Sequence, residues 1–224
     1  MTRNVTRRQA LSGGLAMVGL ALAGCSPTRT APAPQPVRPP VDRDFILNYG
    51  SRPNEEFPLP AIDPKVLEPK FRRMRVAYQS NEDDGTIIVD TSSFYLYLVE
   101  PSGTAMRYGV GLGRQGFEWS GRARVAWKRP WPTWTPPAEM IAREPHLEKY
   151  SAENGGMEPG LGNPLGARAL YIFQGNVDTL YRLHGTNEPA SIGKAVSSGC
   201  VRLINQDVID LYDRVRPGAK IVVT

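Results

Sequence analysis

Two side chains that can cooperate in acyl transfer stand sixteen positions apart near the end of the chain, His184 in His-Gly-Thr-Asn-Glu-Pro and Cys200 in Ser-Ser-Gly-Cys-Val-Arg-Leu. A free thiol, with a pKa of about 8.5, is mostly protonated at neutral pH, so cysteine chemistry needs a base within hydrogen-bond reach and a group that orients the base. The chain has two histidines, and His146, beside Pro145 in a loop-like stretch, reads as a solvated side chain, which leaves His184 as the base. Gly199 before the thiol permits a tight backbone turn and can aim N–H groups at an oxyanion. On these residues alone, Cys200 also fits the role of a small core residue. With two His and two Cys at no paired-ligand spacing, no metal is expected.

These residues need a frame, and the sequence predicts one made mostly of strands. The runs 86–90, 94–99, 104–110 and 122–127 are rich in β-branched and aromatic residues and are separated by turn clusters. Ala169–Phe173 and Thr179–His184 flank Gln-Gly-Asn-Val-Asp, a hairpin signal that puts His184 at a strand end. Val208, Leu211, Tyr212 and Val215 recur at helical spacing, with Asn205 as the expected N-cap, Asp207 and Arg214 suited to the helix dipole, and Pro217-Gly218 beyond. A last strand follows at 220–223. Residues 131–164 lack periodicity, and an insert of that length is expected to serve as a lid or binding loop.

Hydrophobic residues make up 41% of the chain and charged residues 22%, enough for a buried core, while 22 Gly and 21 Pro promise many turns. The formal charge is +5, but Arg3, Arg7 and Arg8 carry three of those charges in the first 24 residues, where there is no acid. The remainder is nearly balanced, and a nucleic-acid partner is not expected. Residues 1–24 read as an export signal, a basic start followed by a short apolar run too Gly-rich for a spanning helix. Leu22-Ala23-Gly24-Cys25 resembles a bacterial lipobox, and Arg7-Arg8 resembles a twin-arginine signal with Ala10 where an apolar or aromatic residue is usual. Cys25 is then the lipidated terminus, with a plain cleavable signal as the other reading, and 25–41 is an extended Pro-rich tether. Residues 42–71 mix apolar residues with Pro and suggest an irregular arm, leaving 72–224 as the folded body.

The segment His184-Gly-Thr, Ser191-Ile-Gly and Ser197-Ser-Gly-Cys-Val-Arg-Leu closely resembles the signature of the L,D-transpeptidase (YkuD/ErfK-type) family of bacterial peptidoglycan enzymes. Gly85-Thr-Ile-Ile-Val-Asp, Arg107-Tyr-Gly-Val-Gly, Trp131-Pro-Thr-Trp-Thr-Pro-Pro and Asn163-Pro-Leu-Gly-Ala-Arg-Ala-Leu extend the likeness over about residues 72–224. It implies a mainly β fold, a β-sandwich or barrel-like domain with a C-terminal helix and a long lid loop. It makes Cys200 the nucleophile, His184 the proton donor and acceptor, the Gly185 carbonyl the orienter of the imidazole, and the Gly199 and Cys200 N–H groups the oxyanion hole. Ser197 and Arg202 would shape the pocket or hold a substrate carboxylate, although Arg202 also fits a plain ion pair. Trp131 and Trp134 are expected in a pocket wall or lid, with a satellite core as the alternative. Many relatives have His where this chain has Ser198. The implied reaction opens a peptidoglycan tetrapeptide stem through a Cys200 thioester, without a cofactor, and passes the acyl group to another stem, to the N-terminus of an outer-membrane protein, or to water. The rivals are a hydrolase of the same stems and a non-catalytic wall-binding lipoprotein. The expected location is the periplasm, with the lipid on Cys25 in the outer rather than the inner membrane.

Overall fold

The structure, a computed structural model, describes residues 42–113, 120–197 and 200–224, without the side chains of Val196 and Ser197. The expected export signal, Cys25, the tether, Gly199 and the Ser197 side chain lie outside the described residues. Among the described residues eleven strands form one hydrogen-bonded sheet. They are β1 (Met74–Ala77), β2 (Ile87–Asp90), β3 (Tyr95–Glu100), β4 (Thr104–Gly109), β5 (Gly111–Gly113), β6 (Gly121–Pro130), β7 (Arg168–Gln174), β8 (Val177–His184), β9 (Ala195–Ser197), β10 (Val201–Arg202) and β11 (Lys220–Val223). Their order across the sheet is β1-β4-β3-β2-β11-β6-β7-β8-β10-β5-β9.

Only Val110 separates β4 from β5 in sequence, yet the two strands stand near opposite ends of that order, so the sheet has to curl back on itself. Its inner face confirms this. Tyr108 of β4, Ile172 of β7, Leu183 of β8, Val201 of β10 and Ile221 of β11 belong to one buried cluster, sealed by Val208 and Leu211 of a helix. The fold is thus mainly β and barrel-like, as expected from the sequence. The β7–β8 hairpin turns through Gly175-Asn176, with Gln174 opposite Val177 and Gly175 at φ +57°, the left-handed geometry that two-residue hairpin turns favour.

Three α-helices occur among the described residues: α1 (Arg43–Tyr49), α2 (Ala138–Arg143) and α3 (Asn205–Arg214). Helix α3 seals the core as its periodicity predicted, but its start differs. The cap position is Ile204, with no side-chain capping bond. Asn205 instead turns its amide outward, accepting from the Ala167 N–H at 2.9 Å and donating to the Thr186 carbonyl at 3.0 Å. The buried strand ends around Ala167 and Thr186 compete for that amide, and they win it from the helix.

The arm is more ordered than its Pro content suggested. Phe45, Tyr49, Leu67 and Phe71 pack with Ile192 and Ile204 in a second buried cluster, and full burial of a Phe or Leu contributes roughly 1.5–3 kcal/mol. Tyr49 reaches Asp207 of α3: its hydroxyl donates to Oδ2 at 3.2 Å and accepts the Arg73 N–H at 2.5 Å. Arg73 Nη1 lies 3.7 Å from Asp207 and 3.3 Å from Asp210. Asp207, expected to serve the helix dipole, is fully buried, and burial pushes its carboxyl up to about 7 against the pull of Arg73.

The 131–164 insert is closed at its root by paired backbone bonds, Trp134 N–H to Met157 O at 3.0 Å and the reverse at 2.7 Å. It holds α2 and a 3-10 turn over Pro145–Tyr150. Asn163, almost fully buried, donates to the carbonyls of Pro132, Met157 and Glu158 at 3.0–3.2 Å.

Candidate active site

Strand pairing brings the two reactive side chains together. β10 runs parallel to β8, with Val201 opposite Leu183 and Arg202 opposite His184. Side chains alternate along a strand, and Leu183, Val201 and Leu203 are buried on the core side. Arg182 and His184 of β8 therefore share the other side with Cys200, just before β10, and with Arg202. All four line one groove of about 650 Å³, whose opposite wall includes Trp134, Glu139 and Met140 of the insert. The expected lid thus forms a wall of the groove.

His184 is 4% exposed, and its Nδ1 lies 2.5 Å from the Gly185 carbonyl. A carbonyl can only accept, so Nδ1 carries the hydrogen and Nε2 is the nitrogen with the free lone pair. Gly185 has no room to be anything else, since a Cβ there would collide with Oδ1 of Asn205. Through that contact the Asn205 amide that left the helix cap holds the turn after the histidine.

Burial pulls the His184 imidazole down to about 4, while the Gly185 carbonyl favours the protonated ring. The Arg202 and Arg182 charges push the same way as burial, and the Pro164 carbonyl opposes them. Cys200 is partly open as a residue, but its sulfur lies deep enough that burial pushes the thiol up; the Arg182 N–H and the charges of Arg182 and Arg202 favour the thiolate. Its Sγ sits 3.9 Å from the Leu180 carbonyl. At neutral pH burial thus favours the neutral thiol and the neutral imidazole. The two guanidinium groups favour negative charge on sulfur and disfavour an imidazolium.

The remaining predicted residues divide. Trp134 lines the groove. Trp131 does not, which corrects its expected place in the pocket wall: it is 5% exposed in a satellite core with Leu59 and Ala167, and its Nε1 donates to Glu55 at 3.0 Å. Glu55 also takes both Arg168 nitrogens at 2.8 Å, so a partner from the arm draws Trp131 inward. Arg202 lines the groove and pairs with Glu188 at 3.1 Å, and its buried Nε has no hydrogen-bond partner among the described residues. Arg182 does not stand out in the sequence. It lies two residues before His184, and strand alternation is the signal that places both on one side.

Residues 84–223 match the family model for the L,D-transpeptidase catalytic domain, YkuD. The chain is 34% identical over 140 residues to the probable L,D-transpeptidase YcfS of Escherichia coli, covering 60% of this chain and 42% of that protein. It is 33% identical over 145 residues to the probable L,D-transpeptidase YbiS of the same organism, covering 62% and 44%. The matches thus span less than half the length of these relatives. Among solved structures, a Brucella melitensis protein described as a probable carnitine operon oxidoreductase is 49% identical, with a TM-score of 0.50 over 72% of this chain and 99% of that one.

Proposed function

The chain belongs to the YkuD family of L,D-transpeptidase catalytic domains, and from that premise we propose that it transfers an acyl group from a peptidoglycan tetrapeptide stem to an amine through a thioester on Cys200. The observation that supports this most is the groove shared by Cys200 and His184, with the histidine tautomer fixed by the Gly185 carbonyl. In this reading Nε2 of His184 takes the thiol proton as sulfur attacks the carbonyl between the third residue and the terminal D-Ala. The tetrahedral intermediate collapses with loss of D-Ala, whose amine receives the proton from His184. An acceptor amine, from a neighbouring stem or from the N-terminus of an outer-membrane protein, then gives a proton to His184, attacks the thioester and frees the thiol. Arg202 holds a substrate carboxylate by exchanging its Glu188 partner, and Trp134 contacts the stem from the insert side. Ser197 and the N–H groups of Gly199 and Cys200 complete the pocket and the oxyanion hole. The chain is exported, with lipid on Cys25 holding it at the outer membrane.

Intact-mass measurement after incubation with a tetrapeptide stem tests the chemistry. The expected species is protein plus the stem lacking D-Ala, absent in Cys200→Ala; D-Ala release by Cys200→Ala would remove the thioester from the mechanism. Product analysis with and without an added amine separates transfer from hydrolysis, and turnover only to the free acid would make the enzyme a carboxypeptidase. Cell fractionation of Cys25→Ala tests the anchor, with release into the soluble fraction expected.

A further inference from the structure

A leucine beside the nucleophile adopts a backbone conformation that leucine rarely takes. Leu180 has φ +60° in the middle of β8, where a side chain meets its own backbone and glycine or asparagine is usual. Its side chain is also 73% exposed. Neither feature helps the core. The pairing of β7 with β8 shifts register between Tyr171 and Phe173, opposite this segment, and the kink turns the Leu180 carbonyl to 3.9 Å from the Cys200 sulfur. Two residues on, the Arg182 backbone N–H also favours the thiolate form of that sulfur.

Several bonds hold the kink, and one ion pair joins them. Asp178 Oδ1 accepts the Leu180 N–H at 2.8 Å, while the same carboxylate takes Arg182 Nη1 and Nη2 at 2.7 and 2.8 Å. Arg182 Nη1 also donates to the Tyr181 carbonyl at 2.9 Å, and the guanidinium lies 4.3 Å above the Tyr171 ring, itself stacked on Trp127. Thr179 Oγ1 ties the segment to the Ile172 carbonyl at 2.6 Å and accepts the Tyr181 N–H at 3.2 Å. A strained residue persists where its surroundings over-determine it, and here they do so next to the reacting atom.

We propose that the Asp178–Arg182 ion pair is a positioning device for the nucleophile: it clamps the left-handed kink at Leu180 and so holds the Leu180 carbonyl and the Arg182 N–H against the Cys200 sulfur. The carbonyl receives the S–H of the resting thiol, and the N–H stabilises the thiolate once the proton has gone to His184. Asp178, Leu180 and the guanidinium of Arg182 act through the backbone and are positioning residues. Among the described residues, the charged and titratable groups around the thiol are Arg182 and His184 of β8 and Arg202 of β10, with Tyr171 of β7, Tyr181 of β8 and Glu139 and Arg143 of α2 also lining the groove.

The proposal rests on Cys200 being the nucleophile, and its test needs no stem peptide. The rate of alkylation of Cys200 by iodoacetamide is measured against pH in the purified chain, with thermal unfolding to verify each variant. If the ion pair acts as a clamp, Asp178→Ala loosens the Arg182 N–H from the sulfur and moves the alkylation midpoint up. The reaction at neutral pH then slows about tenfold for each pH unit that the midpoint rises. If Arg182 acts only as a charge, removing its carboxylate partner moves the midpoint down and speeds the reaction, and that sign overturns the proposal, as does an unchanged midpoint. A second pair of variants does not touch the ions: Leu180→Gly adopts positive φ freely, whereas Leu180→Val resists it. Leu180→Gly is expected to alkylate about tenfold faster than Leu180→Val at neutral pH, and equal or reversed rates would also overturn the clamp. Failure of wild-type protein to release D-Ala would sink the acyl-transfer reading and leave this order of alkylation rates unaffected.

Discussion

Two buried ionisable clusters, one in the groove and one between the arm and α3, show opposite ways of taking a titratable group out of water. In the arm cluster, Asp207 meets a guanidinium and a hydroxyl, from Arg73 and Tyr49. In the groove, His184 meets a backbone carbonyl and the Cys200 sulfur meets another, while the nearby cations are held by acids of their own, Arg182 by Asp178 and Arg202 by Glu188. Burial favours the uncharged form of both groups, the protonated Asp207 carboxyl and the unprotonated His184 imidazole, but Asp207 is tied to the arm by a cation and a hydroxyl whereas His184 is held by a backbone carbonyl. Burial alone therefore does not mark a reactive site.

The most severe way to break this contrast is to remove the base. His184→Ala is expected to lower stem turnover by about 100-fold or more with the arm cluster intact, whereas His146→Ala, on an exposed side chain, should be close to silent; equal losses in steady-state assays would assign the base wrongly. On the arm side, Arg73→Met leaves Asp207 buried and protonated without its guanidinium neighbour and should destabilise the fold by about 1–3 kcal/mol through the lost polar partners. Turnover per folded molecule should persist at low temperature, and a parallel loss of turnover without loss of stability would make the arm part of the active site.

Acid sharpens the same comparison, because the two clusters respond with opposite sign. The folded chain refuses a proton at His184 until about pH 4, while the unfolded chain binds one at about 6.5, so the stability from this group is complete above about 6.5 and is lost as pH falls toward 4. Asp207 keeps its proton up to about 7 when folded and up to about 3.9 when unfolded, so its contribution is complete at low pH and lost as pH rises toward 7. In urea titrations, His184→Gln should therefore remove a loss on the order of 3 kcal/mol between about pH 6.5 and 4, and Asp207→Asn should make stability fall less as pH rises from about 4 to 7. Unchanged slopes would mean that the groups are solvated. The mildest pair is aromatic: Trp131→Phe gives up the bond to Glu55 at about 1 kcal/mol without changing KM, whereas Trp134→Ala should raise KM for the stem and spare stability.

Strong local patterns carried much of this into the sequence. β2, β3, β4 and the β7–β8 hairpin follow their apolar runs, α3 follows its i, i+3, i+4 spacing, and His184 and Cys200 stand out by type and flanking glycines. The two-residue β10 and three-residue β5 and β9 have too few positions for any period to register, and they exist because neighbouring strands hold them. α1 has seven residues, too short to show a helical face among the prolines. Trp131 and Trp134 look alike in sequence, and only Glu55, 76 positions away, separates their fates. Asn205 carries a sound capping residue at a helix start, yet Ala167 and Thr186, distant in sequence, claim its amide.

The pairing of β2 with β11 also has a kinetic consequence. Thr91 meets Thr224 across 133 positions, and Ile87, Ile88 and Val89 pair with the last strand in the middle of the sheet. The chain must close that long loop before these contacts offer any return, and topologies dominated by such distant pairings fold slowly for their size. Until they close, β2 presents an apolar edge of Ile-Ile-Val to any other chain nearby. The central strand pair of the sheet is thus also a segment through which this protein is exposed to aggregation while it folds.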